Sequence, residues 1–443
     1  MKTRNWQLAK YIIADCISMT VAFVACQIPL VNCLLIACFW IGVYWISGYY
    51  NEVMHRSRLT ELITTIVSIT LGYIVIAAVL LYMQQPSLAL LQHLLQYFAT
   101  HLIATYTLRF SITQEMRNRM KSGDFFFKAV VVGTGRNALN LVENIGVRTI
   151  GYIDAKERHE TVVDHDMILG NIEHLVPIVK ENKADEIIIA TEEADNQLIF
   201  NILKEAYTLE AEVKVIESLR ILPHVNMPVD SIMGNPFISL SKNKMPHWQQ
   251  NVKRIFDICF SLVALTAAAP LMLFIALLIK ATSKGPVFYL QERIGHHGHK
   301  FNIIKFRSMH TDAEQNVPLL SSEDDKRITK VGRTLRRFRL DELPQFLNVL
   351  RGDMSIVGYR PERAYFVDKI SEKSPEYHLL LRILPGITSW GMVKYGYATS
   401  VEKMAERLQY DIMYIENCSI LIDIKILIHT FIIIFRGREI IKR

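Results

Sequence analysis

Charged side chains are scarce in this chain of 443 residues: Asp, Glu, Lys and Arg make up 21% of it, while hydrophobic residues reach 51%. A soluble enzyme of this length carries more charge, and a disordered chain cannot be this apolar. Part of the chain therefore belongs in a membrane, and the mean hydropathy is positive. Cysteine is sparse and unpatterned. The six cysteines include no C-x-x-C pair and no Cys/His ligand spacing, which argues against zinc and against a disulfide-built secreted fold. A strong excess of one charge is missing too, since 50 Lys and Arg face 43 Asp and Glu. That balance suits a membrane surface or an anionic substrate, and nucleic acid is not an expected partner. Internal repeats and low-complexity segments are absent.

From Tyr11 to Asn51 only Asp15 is charged, with Pro29 and Asn32 near the middle. That is room for two helices of about 20 residues, each able to cross a bilayer. A second apolar pair runs from Leu62 to Met83 and from Leu88 to Leu108. Lys2, Arg4 and Lys10 precede the first helix, His55, Arg56 and Arg58 lie between the second and third, and Arg109, Arg117, Arg119, Lys121 and Lys128 follow the fourth. The other two loops carry no Lys or Arg, so the spacing predicts four crossings with both ends cytoplasmic. The N-terminal run lacks a small-residue cleavage site and is not expected to be a cleaved signal.

After Phe125 strands and helices alternate. Phe125–Val132 is β-rich and ends in Gly133-Thr134-Gly135; Gly151–Asp154, Glu186–Thr191 and Glu212–Ile216 read as further strands. This pattern predicts a parallel, doubly wound, Rossmann-like α/β domain. Pro223, Pro228, Pro236 and Pro246 then mark a linker. The expected domains are four transmembrane helices over 1–122, the Rossmann-like domain over 123–220, a linker over 221–250 and a catalytic domain over 251–443.

The last part opens with Lys253-Arg254 and an apolar run, Ile255–Ile279, interrupted by Pro270. A fifth crossing is one reading. Against it, Lys253, Arg254, Lys280 and Lys284 put positive charge at both ends, and Pro270 removes a helical hydrogen bond at the midpoint. A re-entrant helix over 255–279, breaking at Pro270 and returning to the same face, satisfies both facts. Near the C-terminus, Leu421, Ile424, Leu427, Ile428 and Phe431 share one helical face, which fits either an interfacial helix or packing onto the catalytic domain.

Between Lys326 and Arg363 ten basic residues face four acidic ones. Arginines in such a segment suit phosphate, although a solvated or lipid-facing surface has the same composition. Inside it lies Leu340-Asp341-Glu342-Leu343-Pro344-Gln345, followed by helical spacing at Phe346, Leu347 and Leu350. Asp341 as a cap and Glu342 in a first turn would make an ordinary helix start. Two adjacent carboxylates among arginines also suit attack on phosphorus.

These motifs resemble the bacterial sugar transferase family, the monotopic polyprenyl-phosphate phosphoglycosyl transferases. Lys253-Arg254-Ile255-Phe256-Asp257, Gly285–Tyr289 with Gln291, Arg293 and Gly295, Lys305–Met309, Leu340–Gln345, Asn348–Ser355 and Pro385–Thr388 occur in the family's order. The resemblance covers roughly 250–440, and the membrane helices with the middle domain resemble the long form, typified by undecaprenyl-phosphate glucose phosphotransferases. It implies that Asp341 attacks the sugar-proximal phosphorus of a UDP-sugar, releasing UMP, and passes the phosphosugar to polyprenyl phosphate, the first step in building an exopolysaccharide, capsule or O-antigen. It implies Mg²⁺ at Asp341, Glu342 as orienting group or proton acceptor, and phosphate contacts from Lys305, Arg307, Arg337 and Arg360. It places the enzyme in the bacterial inner membrane among lipid, with the site on the cytoplasmic face; a homodimer is compatible with it. Three departures stand out: Arg339 where the family has Ser, Tyr359 in Gly358-Tyr359-Arg360-Pro361 where it has Pro, and Ser389–Lys394 after Thr388.

Two rival classes remain. A membrane-anchored, NAD-dependent nucleotide-sugar dehydratase or epimerase would use Gly133, Gly135 and Asp154, which lies 21 residues after Gly133, but the Tyr-x-x-x-Lys pairs at Tyr152/Lys156 and Tyr365/Lys369 are badly placed. A non-catalytic sensor or scaffold would not need the dyad. His296, His297 and His299 read as a hairpin turn rather than a metal site, and Ser308 as structural.

Overall fold

The apolar N-terminal runs fold as helices α1 (Lys2–Ala25), α2 (Leu30–Ile46), α3 (Arg58–Met83) and α4 (Leu88–Lys121). The computed structural model describes residues 2–26, 30–51, 58–83, 87–141, 147–155, 161–192, 211–216, 237–239, 245–310, 327–396 and 398–436, with 198, 201–202, 205–206, 209 and 325. Most of the expected linker, 221–236 and 240–244, lies outside the described residues, as do Pro29, His55 and Arg56. The chain forms two units, Met1–Phe126 with Pro246–Val252 and Phe127–Met245 with Lys253–Arg443.

In the first unit, α4 does not stop at Leu108 but continues to Lys121, started by Ser87, whose Oγ accepts from the Leu90 amide at 3.1 Å. Its buried stripe, Leu94, Tyr97, His101, Thr105, Arg109, Thr113 and Met116, repeats every three or four residues and is largely polar. Arg109, read from sequence as a flanking cation, is wholly buried. Its Nε donates to Asp15 Oδ1 at 2.7 Å, a second nitrogen pairs with Asp15 Oδ2, and Nη1 lies 3.5 Å from Glu61 Oε1. Tyr49 places its ring 3.2 Å from the guanidinium, with Tyr11, Tyr44 and Tyr50 further out. A charge can be buried at this depth only when paired. Among the described residues three segments are long and apolar enough to cross a membrane, Trp6–Ala25, Glu61–Met83 and His247–Thr282, and Cys33–Ile46 is a shorter apolar helix.

The second unit begins with a six-stranded sheet in the order β3-β2-β1-β4-β5-β6. Its strands are β1 (Phe127–Val132), β2 (Val147–Asp154), β3 (Ile168–Asn171), β4 (Glu186–Ile189), β5 (Glu212–Ile216) and β6 (Phe237–Ser239). The first five are parallel, and β1 and β4 are almost continuously apolar and buried, as central parallel strands must be. Helix α5 (Arg136–Leu139) follows β1, and α6 (Leu175–Asn182) leads to β4. One expectation fails here. Strand β6 comes from the stretch read as linker and pairs antiparallel with β5. Three residues directly after Pro236 carry no alternation signal, and an edge strand tolerates a neighbouring proline.

Helix α7 (His247–Thr282) enters the remaining part, followed by the hairpin β7 (Phe288–Ile294) and β8 (Lys300–Phe306), α8 (Lys330–Arg337) and α9 (Gln345–Arg351). Then come β9 (Ser355–Val357), α10 (Ala364–Lys373), β10 (Gly386–Thr388) parallel to β9, α11 (Trp390–Lys394), α12 (Val401–Glu416) and α13 (Ile420–Arg436). Helix α7 is continuous through Pro270 rather than split in two. If straight, it would hold Arg254 and Ile279 about 37 Å apart. Yet Arg254 donates to the carbonyls of Val349 (2.7 Å) and Leu350 (3.1 Å), while Ile275 and Ile279 share an apolar cluster with Phe306, Leu335, Leu340 and Leu343. Both halves converge on one short stretch, Leu340–Leu350, the arrangement expected of a helix bent at its proline.

The buried ion cluster of the first unit has a measurable signature. Arg109→Met leaves two buried acids uncompensated and should cost about 3–5 kcal/mol. Combining it with Asp15→Asn and Glu61→Gln should restore most of the loss, read as the unfolding temperature in detergent. A triple variant no more stable than the single one would show that pairing is not what this cluster contributes.

Candidate functional site

The dyad does not begin a helix. Leu340–Glu342 forms a single 3₁₀ turn, in which the Glu342 amide donates to Arg339 O (3.2 Å) and the Leu343 amide to Leu340 O (3.3 Å). Pro344 has no N–H to extend the pattern and occupies the cap position of α9 without a side-chain cap. Asp341 is thus no helix cap. Arg339, at φ 54°, turns the chain through the left-handed region, an uncommon choice for a non-glycine residue. On either side of the carboxylates, Leu340 and Leu343 pack into the apolar cluster that includes Ile275 and Ile279 of α7, so the membrane-competent helix lies directly under the turn.

Both carboxylates are 8% exposed, but their surroundings differ. Glu342 Oε1 lies 3.3 Å from Lys305 Nζ and 3.6 Å from Arg360 Nη2. Burial pushes its carboxyl up, and Lys305, Arg360 and Arg339 together more than reverse this and hold it below the usual range. Burial and the neighbouring Glu342 charge push Asp341 up, against Lys305 and Arg336. Among the described residues Asp341 enters no ion pair. The cations therefore favour the charged form of Glu342, and Asp341 is left the more basic of the two, an environment that separates two like groups. Burial also lowers the Lys305 ammonium, opposed by Glu342.

Each cation is placed by the fold. Lys305 stands on β8, whose register against the dyad is set by Asn348: Asn348 Oδ1 accepts from the Ile304 amide (3.0 Å), and its Nδ2 donates to Asn302 O (2.8 Å). Arg360 follows β9 and precedes Glu362, which is fixed between Arg293 (3.1 Å) and Arg407 (2.7 Å). Burial raises the Glu362 carboxyl, but Arg407, Arg293 and Arg360 pull it lower overall.

Two expected phosphate contacts are placed elsewhere. Arg307 donates to the carbonyls of Lys284 and Ser283 (both 3.0 Å) and to Ser283 Oγ (2.7 Å), which fastens the end of α7. Arg337 is exposed, its guanidinium 5.7 Å from the Phe338 ring. Its neighbour Arg336 takes its place beside Asp341, held by Nε donation to Ser308 Oγ at 2.8 Å. Helical phase decides between them: on α8 the buried face carries Gly332 and Leu335, with Arg336 next to it and Arg337 turned away. Ser308, expected to be structural, accepts this hydrogen bond at its hydroxyl.

The remaining candidates stay apart from this site. His296 is half-buried and its Nε2 lies 3.1 Å from Arg382 O, while burial and His297 lower its pKa to about 4. No group of three or more potential metal ligands occurs among the described residues. The Tyr365/Lys369 pair is a cation–π contact of 4.5 Å along α10. Gly133 and Gly135 lie in the turn between β1 and α5, and Asp154 ends β2.

Comparison with known proteins adds to this geometry. The family described as bacterial sugar transferase matches residues 248–437, and one described as CoA-binding domain matches residues 45–216. An undecaprenyl-phosphate glucose phosphotransferase of Komagataeibacter xylinus is 32% identical over 359 residues, 78% of this chain and 64% of that protein. A UDP-N-acetylgalactosamine-undecaprenyl-phosphate N-acetylgalactosaminephosphotransferase of Aeromonas hydrophila is 41% identical over 42% of this chain and 44% of that protein. A UDP-glucose:undecaprenyl-phosphate glucose-1-phosphate transferase of Caulobacter vibrioides is 41% identical over 40% of this chain and 67% of that protein. The chain thus spans less than two thirds of the first two relatives.

The clamp on Glu342 can be tested by a double-mutant cycle. Lys305→Met and Glu342→Gln should each lower thermal stability, and the two together should lose less than the sum, with a coupling of about 0.5–3 kcal/mol. Strict additivity would mean that the two side chains do not interact.

Proposed function

The chain belongs to the bacterial sugar transferase family, in its long form, and on that premise we propose that it transfers a sugar 1-phosphate from a UDP-sugar to polyprenyl phosphate, releasing UMP. The observation that carries the reading is the division of the dyad: Glu342 is held by Lys305 and Arg360, and Asp341 is buried and raised beside it. An Asp341 oxygen attacks the sugar-proximal phosphorus. The bond from that phosphorus to the bridging oxygen breaks, and UMP leaves with the electron pair. An oxygen of polyprenyl phosphate then attacks the same phosphorus, the bond to Asp341 breaks, and the carboxylate is restored. Splitting one transfer in this way gives ping-pong kinetics.

Lys305, Arg336, Arg339 and Arg360 outnumber the two acids and would offset the diphosphate's charge as it redistributes. Glu342, held below its usual range, is a poor proton acceptor, so its role is to orient Lys305 and Arg360. Asp341 is the carboxylate that would hold Mg²⁺, an ion commonly bound through a single protein carboxylate beside phosphate, and when bound it would neutralise phosphate charge. The apolar contact of Leu340 and Leu343 with α7 would keep the turn at the membrane surface, where a lipid-linked acceptor carries its phosphate. We place both ends of the chain and the site on the cytoplasmic face of the inner membrane, with four N-terminal crossings and α7 dipping in and returning.

Two measurements follow. With UDP-sugar alone, the wild type should release at most one UMP per site and retain a phosphosugar adduct, whereas Asp341→Asn should do neither and lose turnover by orders of magnitude while staying folded. Near-normal turnover in Asp341→Asn removes the nucleophile. For topology, single cysteines at Trp248 and Lys284, in a cysteine-free background, should both be labelled from the cytoplasmic side, and labelling on opposite faces would make α7 a true crossing.

A further inference from the structure

The glycine turn after β1 is where a dinucleotide or coenzyme A would set its diphosphate in a doubly wound sheet. In that fold the ligand lies in the crevice beyond the strand ends where the strand order reverses, here between β1 and β4. A domain of this topology, matched by a family named for coenzyme A, invites that assignment. The residues present do not fit it.

Three contacts close the crevice. The Asn137 amide, at the start of α5, donates to Glu192 Oε1 at 2.7 Å, the position a phosphate oxygen would take. Asn137 Nδ2 donates to Thr191 O at 2.8 Å, so the chain leaving β4 is tied to the start of α5 on both sides. Thr134, in the turn itself and 4% exposed, accepts at its carbonyl from the amides of Val162 (2.9 Å) and Val163 (3.4 Å), which covers the turn from the β2 side.

The glycines have reasons that need no ligand. Gly133, at φ +124°, lies against the backbone of Ala190, where an added Cβ would come within 2.6 Å of the carbonyl oxygen. At Gly135 the atoms an added Cβ would meet belong to the Glu192 carboxylate, 2.5 Å away. The spacing that reads as a phosphate fingerprint is therefore satisfied by β4 and by a carboxylate of the same chain. A second anion in the same place would meet Glu192 directly.

We infer that Glu192 stands in for the ligand anion at the Gly133–Gly135 turn, and that the middle domain takes no nucleotide diphosphate there. This does not depend on the transferase reading, because neither Asp341 nor a UDP-sugar enters it. The test uses the full chain in nanodiscs. Equilibrium dialysis with NAD⁺ and with coenzyme A, to millimolar concentration, should give no saturable binding to the wild type or to Glu192→Gln. Glu192→Ala should lower the unfolding temperature, and inorganic phosphate should recover more of that loss than it adds to the wild type. Saturable binding of either compound to the wild type, abolished by Gly135→Val, overturns the inference. So does a Glu192→Ala chain that folds and responds to phosphate no more than the wild type.

Discussion

Much of the second unit depends on how α7 is fastened at its two ends. At one end Lys253 donates to Val357 O (2.9 Å) and pairs with Asp423 (2.5 Å), Arg254 holds the last carbonyls of α9, and Asp257 accepts from the Ile356 amide (3.1 Å). At the other, Arg307 takes the carbonyls of Ser283 and Lys284, and Ile275 with Ile279 fills the space beneath the dyad turn. The family's charged opening, Lys253-Arg254 with Asp257, is thus chiefly a set of backbone anchors. An apolar helix of 36 residues has no preferred partner in water, so polar fastenings at its ends fix where it stands. Because they reach α9 and β9, the dyad between them inherits that position.

Charge is managed differently in the two units. In the first, Arg109 neutralises Asp15 and approaches Glu61 with no exposed side chain among them. Around the dyad, Lys305, Arg336, Arg339 and Arg360 exceed the two acids, so the turn carries a net positive charge. Behind it, Glu362 between Arg293 and Arg407 binds the floor of the site to α12. Similar residues are therefore balanced within the chain in one place and left with surplus positive charge in the other, and the ratio of cations to acids tells the two apart.

The elements most legible in the sequence were those with one dominant local signal. β5 has the expected ends, Glu212–Ile216, because Val213, Val215 and Ile216 make a short β-branched stretch alternating with charge, and the dyad stood out because two acids sit within an arginine-rich segment. Lys305 and Arg360 were found through motifs and do meet Glu342. Arg337 and Arg336 cannot be separated by composition, only by the phase of α8 against the core. Arg307 looked like a phosphate ligand because a guanidinium that caps carbonyls has the same sequence signature as one that binds oxyanions. Arg109 was misplaced because a flanking cation and a buried one differ only in partners more than forty residues away. The pairing of β6 is likewise non-local.

The order of residues along the chain has a consequence for biogenesis. Asp15 and Glu61 are synthesised well before Arg109, the cation that compensates them. Until Arg109 follows, each of these acids lacks the cation that pairs with it in the folded unit. Helix α4 carries His101, Thr105 and Arg109 on its buried stripe, and that stripe is covered only when the helices bearing its partners are already made. The charge of the unit is therefore balanced only when its fourth helix is made, and a chain interrupted between Glu61 and Arg109 would leave both acids without their counter-ion.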